Sequence, residues 1–251
     1  MPEPRIRTVN KATAPYELNK FPKSFLRTLG AEIVYMMATK QSMSLEGDEW
    51  EQIFANCISA EWKPSNVGLD DVQLDNCCWS AKTVYAQGRN IQNQKVVRLI
   101  SGRNSPAYSY GEDIILNADP NHIGKMVLDI WNERVSGIRQ YFKFARTVVL
   151  VKSADYSEYL VFETETIRYD PELYYFKWNP RGNLEGFTKD HHEHTFTWQP
   201  HGSQFTIIEP IPADRVHIRL KTPPKLDKEQ VLQAIHYDSS WVTLMGDRND
   251  D

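Results

Sequence analysis

Two short alternating segments meet at Asp75-Asn76, and that turn constrains the fold more tightly than any other feature of the chain. In Gly68-Leu-Asp-Asp-Val-Gln-Leu-Asp-Asn-Cys-Cys-Trp-Ser-Ala-Lys-Thr83 both halves read as strands, and a two-residue Asp-Asn turn closes them into a hairpin. Leu74 then faces Cys77, and the ladder runs back until Asp71 lies opposite Ser80. Alternation puts Ser80 and Lys82 on one face of the second strand, beside Asp71. A carboxylate and an ammonium so placed can bind a divalent cation and orient a water, an arrangement suited to phosphodiester hydrolysis. Without such a site, Asp71 and Lys82 are an ordinary cross-strand ion pair at a sheet edge, worth about 0.5 kcal/mol.

The hairpin sits among segments of helical and strand character. Helical spacing runs from Lys23 to Thr39 through Phe25, Leu26, Leu29, Ile33, Val34 and Met37. Asp48 to Ala60 makes a second helix, with Asp48 as its cap and Trp50, Ile53, Phe54, Cys57 and Ile58 as its apolar stripe. A strand is expected from Lys95 to Ser101, and Asp119-Pro120 opens a long helix running past Ile138. Strands follow at Thr147 to Val151 and Tyr159 to Glu163. Tyr169 to Arg219 reads as β-rich with interleaved aromatics, and Leu226 to His236 as a short closing helix. This order predicts an α/β or α+β architecture, a central mixed β-sheet flanked by helices with a β-rich C-terminal part. The β-rich third either extends that sheet or forms a subdomain beside the cleft. With no dividing linker, residues 1–251 read as a single domain, a core over about 20–165 and an extension over about 166–251.

Composition narrows the function classes. A hydrophobic fraction of 41%, an aromatic fraction of 12% and 25% charged residues are those of a globular chain. No run approaches the roughly 18 apolar residues of a membrane span, and Met-Pro-Glu-Pro-Arg lacks a signal-peptide core, so a cytoplasmic protein without membrane attachment is expected. Cys57, Cys77 and Cys78 fit a reduced compartment as buried structural thiols, the adjacent pair pointing to opposite faces of a strand. A net charge of −4 argues weakly against a nonspecific nucleic-acid coating protein, but leaves room for an enzyme with a local cationic groove.

With these residues in view, the chain resembles the PD-(D/E)XK nuclease superfamily in the form used by type II restriction endonucleases. The resemblance lies in the Asp71–Lys82 hairpin and its upstream acidic helix, in Gly47-Asp-Glu-Trp-Glu-Gln-Ile-Phe-Ala55, in Trp79-Ser-Ala-Lys-Thr-Val84 and in Leu99-Ile-Ser-Gly-Arg-Asn-Ser-Pro106, and it covers the chain to about residue 150. It implies a restriction-endonuclease-like core and Mg²⁺-dependent, sequence-specific hydrolysis of double-stranded DNA, by a homodimer whose two-fold symmetry matches that of its site. Asp71 would hold the metal, the Ala81 carbonyl would complete part of its oxygen shell, and Lys82 would position water and stabilise charge on phosphorus. Two departures stand out. Asp70 replaces the motif's proline, and Ser80 occupies the place of its second acid. Glu51, on the helix before the hairpin, is the expected substitute, with Glu61 as runner-up; Asp75 sits at the far end of the strand.

Other residues leave alternatives open. Arg89, Asn90, Gln92, Asn93 and Gln94, then Arg103 and Asn104, suit base-edge reading, yet equally form a solvated loop, or in the case of Arg103 and Asn104 a phosphate grip or a brace. Lys143, Arg146, Lys177, Arg181 and Lys189 could touch phosphates or be simply solvated. His191, His192, His194 and His201 raise a cupin-like metal site, with His192 and His194 on one face of a strand, against a polar hairpin. A non-catalytic DNA-binding relative of the nucleases is the remaining alternative, and Ser80 keeps it open. The aromatics from Tyr169 to Trp198 are expected to be sheet core rather than base-stacking surfaces.

Overall fold

Helix α1 (Phe25–Thr39) forms because Phe25, Leu29, Ile33 and Met37 recur every four residues and bury one stripe. It packs on α2 (Gly47–Ile58). The sequence puts the α2 cap at Asp48, but the cap lies two residues earlier at Glu46, whose N–H donates to Glu49 Oε2 at 2.8 Å. The computed structural model describes residues 12–40, 42–64, 68–88, 90–111, 118–243 and 245.

Strands β1 (Glu61–Trp62), β2 (Val72–Leu74) and β3 (Cys77–Tyr85) follow α2 as an antiparallel meander. The turn falls at Asp75-Asn76, with Asp75 in the left-handed region at φ 53°, and the register is Leu74↔Cys77, Gln73↔Cys78 and Val72↔Trp79. Strand β4 (Val96–Arg103), the short α3 (Pro106–Tyr110) and α4 (Pro120–Ile138) carry the chain across to β5 (Phe144–Lys152), which lies parallel to β3. The Asp119 side chain caps α4 as expected, accepting from Asn121 N–H at 3.1 Å. β6 (Glu158–Glu165) turns back on β5, and β11 (Val216–Arg219) pairs with β6. The result is a mixed six-stranded sheet ordered β1-β2-β3-β5-β6-β11.

The β-rich third forms a second sheet rather than extending the first. β7 (Tyr174–Trp178), β8 (Leu184–Thr188), β9 (His194–Gln199) and β10 (Gln204–Pro210) make an antiparallel run, and β4 joins it beside β10. β4 leaves the central sheet because its alternation gives it one apolar face: Val97 and Leu99 pack on Val149, Val151 and Phe162 of the first sheet from above. Helix α5 (Lys228–Ala234) and a short 3-10 turn at Ser239–Trp241 follow β11. Among the described residues no helix is long and apolar enough to cross a membrane.

Three apolar clusters hold these layers. One face of the central sheet buries Cys77, Trp79 and Ala81 against α1 and α2. The other buries Cys78 and Ala145 against α4, which continues into Phe176, Phe196, Trp198 and Phe205 of the second sheet. Gly124 permits that approach, since a Cβ there would fall on the Phe176 ring. The aromatics of the β-rich third divide by alternation: Phe176, Phe196 and Trp198 are core, whereas Tyr175 and Phe187 stack on the outer face at 5.5 Å. All three cysteines are buried free thiols, and burial pushes Cys57 and Cys77 each up to about 12.

Glu209 is a half-buried carboxyl of the second sheet with a direct pH consequence. Burial pushes it up from 4.5 to about 6, against a hydrogen bond from Tyr169 Oη at 3.3 Å. A carboxyl whose folded pKa is raised contributes stability below its unfolded pKa and loses it as pH rises through the folded one. Glu209→Gln should therefore match the wild type near pH 4 and be more stable above about pH 6, by about 2 kcal/mol. Urea denaturation at the two pH values measures the difference; equal curves at both would show that the carboxyl is well solvated.

Candidate functional site

Asp71 stands one residue before β2, so the hairpin register carries it opposite Ser80 as the sequence predicts. It is 4% exposed. Ser80 and Lys82 follow Cys78 on the α4 face of β3. Burial pulls the Lys82 ammonium below the usual lysine range, Asp71 and then Glu51 pull it back up, and Arg134 pushes it further down. Those electrostatics bring together the carboxylate and ammonium read from the hairpin, the acid expected on α2, and an arginine that the sequence did not single out. Of the charges acting on Lys82, Asp71 has the largest effect.

Glu51 is half-buried and accepts from Trp62 Nε1 at 3.1 Å, which holds its carboxylate at the β1 edge. Glu61 lies exposed on β1 and is not among the charges acting on Lys82. Ladder alternation turns the Ala81 carbonyl toward the β2 side of β3, beyond the last β2 pair at Val72↔Trp79. Asp71, Glu51 and this carbonyl are all hard oxygen donors of the kind Mg²⁺ takes, so the donor chemistry fits. Ser80 does not join them. Its side chain is fully buried and its Oγ donates to the Gly68 carbonyl at 2.8 Å, which ties the loop before Asp71 to β3. The expectation of Ser80 as a site group is thus corrected: it braces the strand that carries Asp71. No group of three or more His, Cys, Asp or Glu side chains with metal-site geometry occurs among the described residues.

Arg134 enters from α4. Nη1 donates to the Ser101 carbonyl at 2.7 Å and to Asn104 Oδ1 at 3.3 Å, and the guanidinium lies 5.7 Å from the Trp131 ring centroid. Burial lowers its pKa. Two clefts share Glu133 and Arg134 in their walls: one of about 430 Å³ that includes Asp70 and Tyr141, and one of about 550 Å³ that includes Tyr110 and Arg168. No local pattern marks Arg134, because on the sequence it is one polar position of an amphipathic helix. Only the crossover from β3 to β5 brings it to Lys82.

Gly102 adjoins this arginine in a backbone conformation that side chains rarely adopt, φ 115°, and a Cβ there would fall on the Arg134 guanidinium. Gly102→Ala should displace Arg134 and reduce any activity of the site roughly 10- to 100-fold. Activity assays beside a thermal melt check this, and full activity would remove Arg134 from the machinery.

The expected base-reading residues divide. Arg89 lies outside the described residues. Asn90, Gln92 and Asn93 are exposed just after β3, where Asn90 Oδ1 caps a short turn by accepting from Gln92 N–H at 2.9 Å. Gln94 is spent holding the loop, accepting from Gln87 N–H and donating to the Val96 carbonyl. Arg103 is exposed at the end of β4. Asn104 is the correction: at 0% exposure, its amide donates to the Val127 carbonyl at 2.9 Å and its own carbonyl accepts from Trp198 Nε1, so it braces Arg134 and cannot reach a base. Arg146 is likewise buried, paired with Glu163.

The histidines do not form the shared strand face that a cupin-like site requires. β9 begins at His194, while His192 sits in the preceding turn at φ 56° with Nδ1 3.2 Å from Tyr175 Oη. His194 turns Nε2 to the Phe196 carbonyl and Thr197 Oγ1. Comparison with family models, with curated proteins and with solved structures returns no match to this chain.

Proposed function

We propose that the chain is a Mg²⁺-dependent endodeoxyribonuclease of the PD-(D/E)XK type, a type II restriction endonuclease that recognises a short duplex sequence and cuts both strands as a homodimer. The observation that carries this reading is the convergence of Asp71, Glu51 and Lys82 around a hairpin whose register was legible in advance. The order helix, three-strand meander, crossover helix and parallel strand supports it as well.

In this reading Asp71, Glu51 and the Ala81 carbonyl would hold the metal. Bound Mg²⁺ would supply a more acidic water and positive charge at the phosphate. Lys82 orients the attacking water and meets charge growing on a non-bridging phosphate oxygen, in surroundings where burial strengthens that contact. Arg134, held by Ser101 and Asn104, adds a fixed positive charge behind it. Asn90, Gln92, Asn93 and Arg103 are the exposed candidates for contact with the duplex.

The deciding experiment is digestion of mixed plasmid and phage DNA with and without Mg²⁺, followed by sequencing of the ends. Discrete Mg²⁺-dependent ends at a recurring sequence are expected. Tight binding of duplex without any cutting would instead favour the non-catalytic relative, for which the structural use of Ser80 is the motive. Within the nuclease reading, Glu51→Gln should raise the Mg²⁺ concentration needed for half-maximal cutting by about tenfold or more; an unchanged Mg²⁺ titration would remove Glu51 from the metal shell.

A further inference from the structure

We propose that the cleft over Glu209 binds a small organic cation, an amidinium, guanidinium or protonated amine carried on an apolar body. None of its residues belongs to the Asp71–Lys82 site, so it stands or falls independently of the nuclease reading. The cleft measures about 630 Å³ and runs between one end of the strands of the second sheet and the end of β6 with the segment after it. Its ionisable carboxyls are Glu165, Glu193 and Glu209, and neither lysine nor arginine is among its described lining residues.

The chemistry of the walls selects the ligand. Tyr169 and Tyr174 meet edge to face at 6.2 Å and form an aromatic side, while Ile167 and Ile208 make an apolar one. Tyrosine faces attract cations through the ring quadrupole. Among the described residues the Glu209 side chain has one neutral donor, the Tyr169 hydroxyl at 3.3 Å, and burial pushes the carboxyl up to about 6. A cation seated beside it restores a partner to the carboxylate, whereas an anion is repelled by all three acids. The neighbouring groups do not serve as that partner. His194, the basic side chain of the lining, is committed to Phe196 and Thr197. Selectivity for a cation with an apolar body follows, because a hydrated metal ion would leave the Ile167 and Ile208 walls unsatisfied.

The test is titration calorimetry of the full chain near pH 7 with benzamidine and agmatine, against benzoate and benzamide as anionic and neutral controls. At least one of the two cations should bind saturably at one site and at least about tenfold more tightly than either control, a difference of about 1.4 kcal/mol. Glu209→Gln should abolish that preference. Ile167→Trp, at a wall position 45% exposed at the mouth, should block the cleft without touching the carboxyl. Should Glu209→Gln fail to fold, Ile167→Trp decides alone. Cations binding no better than benzoate or benzamide, or either folded variant binding them as the wild type does, overturns the proposal.

Discussion

Lys82→Ala is expected to lower Mg²⁺-dependent cleavage of duplex DNA by at least about 100-fold, the usual effect of removing one preorganised donor from a developing charge. Ca²⁺-supported binding of the same duplex should stay close to wild type, since Lys82 is half-buried on β3 rather than on the exposed loops. The lysine's environment gives the pH dependence its sign. Its folded pKa lies below the ordinary lysine value, mainly through burial, so the ammonium is lost at lower pH than in a free lysine. Cleavage that needs the charged form falls as pH rises through that depressed value. For stability, a lysine depressed on folding weakens the native state wherever the ammonium is charged, and the penalty fades as pH rises toward the unfolded pKa. Lys82→Met should therefore melt no lower than the wild type while remaining inactive. Thermal melts beside gel-based cleavage separate the two properties, and a Lys82→Ala variant that still cuts at the wild-type rate ends the assignment.

Glu163→Ala should be the most destabilising single change in the central sheet. Glu163 is 1% exposed on β6, and its carboxylate accepts from Tyr16 Oη at 2.8 Å, Trp79 Nε1 at 2.6 Å and Asn19 N–H at 3.1 Å. Arg146, 3% exposed, completes the pair at 3.4 Å and donates from Nη2 to the Tyr16 carbonyl. This knot ties residues 16–19 to the face of the sheet that α1 and α2 cover. Removing the carboxylate leaves a buried guanidinium and three donors without their partner, a loss of about 3–5 kcal/mol. For a chain of this size that corresponds to a melting temperature lower by on the order of 10 °C. Replacing both partners, Arg146→Met with Glu163→Leu, should recover much of it, because burying two charges is itself costly. A single Glu163→Ala variant melting within a degree or two of wild type would mean that the knot rearranges freely.

The contrast between these two sites shows where sequence reasoning reached. The hairpin was legible because its determinants are local. A two-residue turn and a period of two fix the Leu74↔Cys77 pairing, and the position of Asp71 and Lys82 on one face follows from covalent geometry. Glu51 was expected only through the nuclease resemblance, in which the helix before the hairpin packs beside the site. The Glu163–Arg146 knot was not legible, since its partners come from residues 16, 79, 146 and 163, and nothing at any of those positions announces the others. Arg134 escaped for the same reason, and of the readings open for Asn104 (base reader, phosphate grip or brace) only its burial selects the brace.

By itself the sequence determined the elements and the hairpin register, which rest on spacing, turn chemistry and alternation between neighbours along the chain. Only the tertiary structure decided that β4 leaves the central sheet to pair with β10, that Ser80 and Asn104 are braces, and that Arg134 arrives beside Lys82. Those outcomes depend on which apolar faces bury one another across long stretches of chain. Burial is non-directional and summed over many residues, so no short segment carries it.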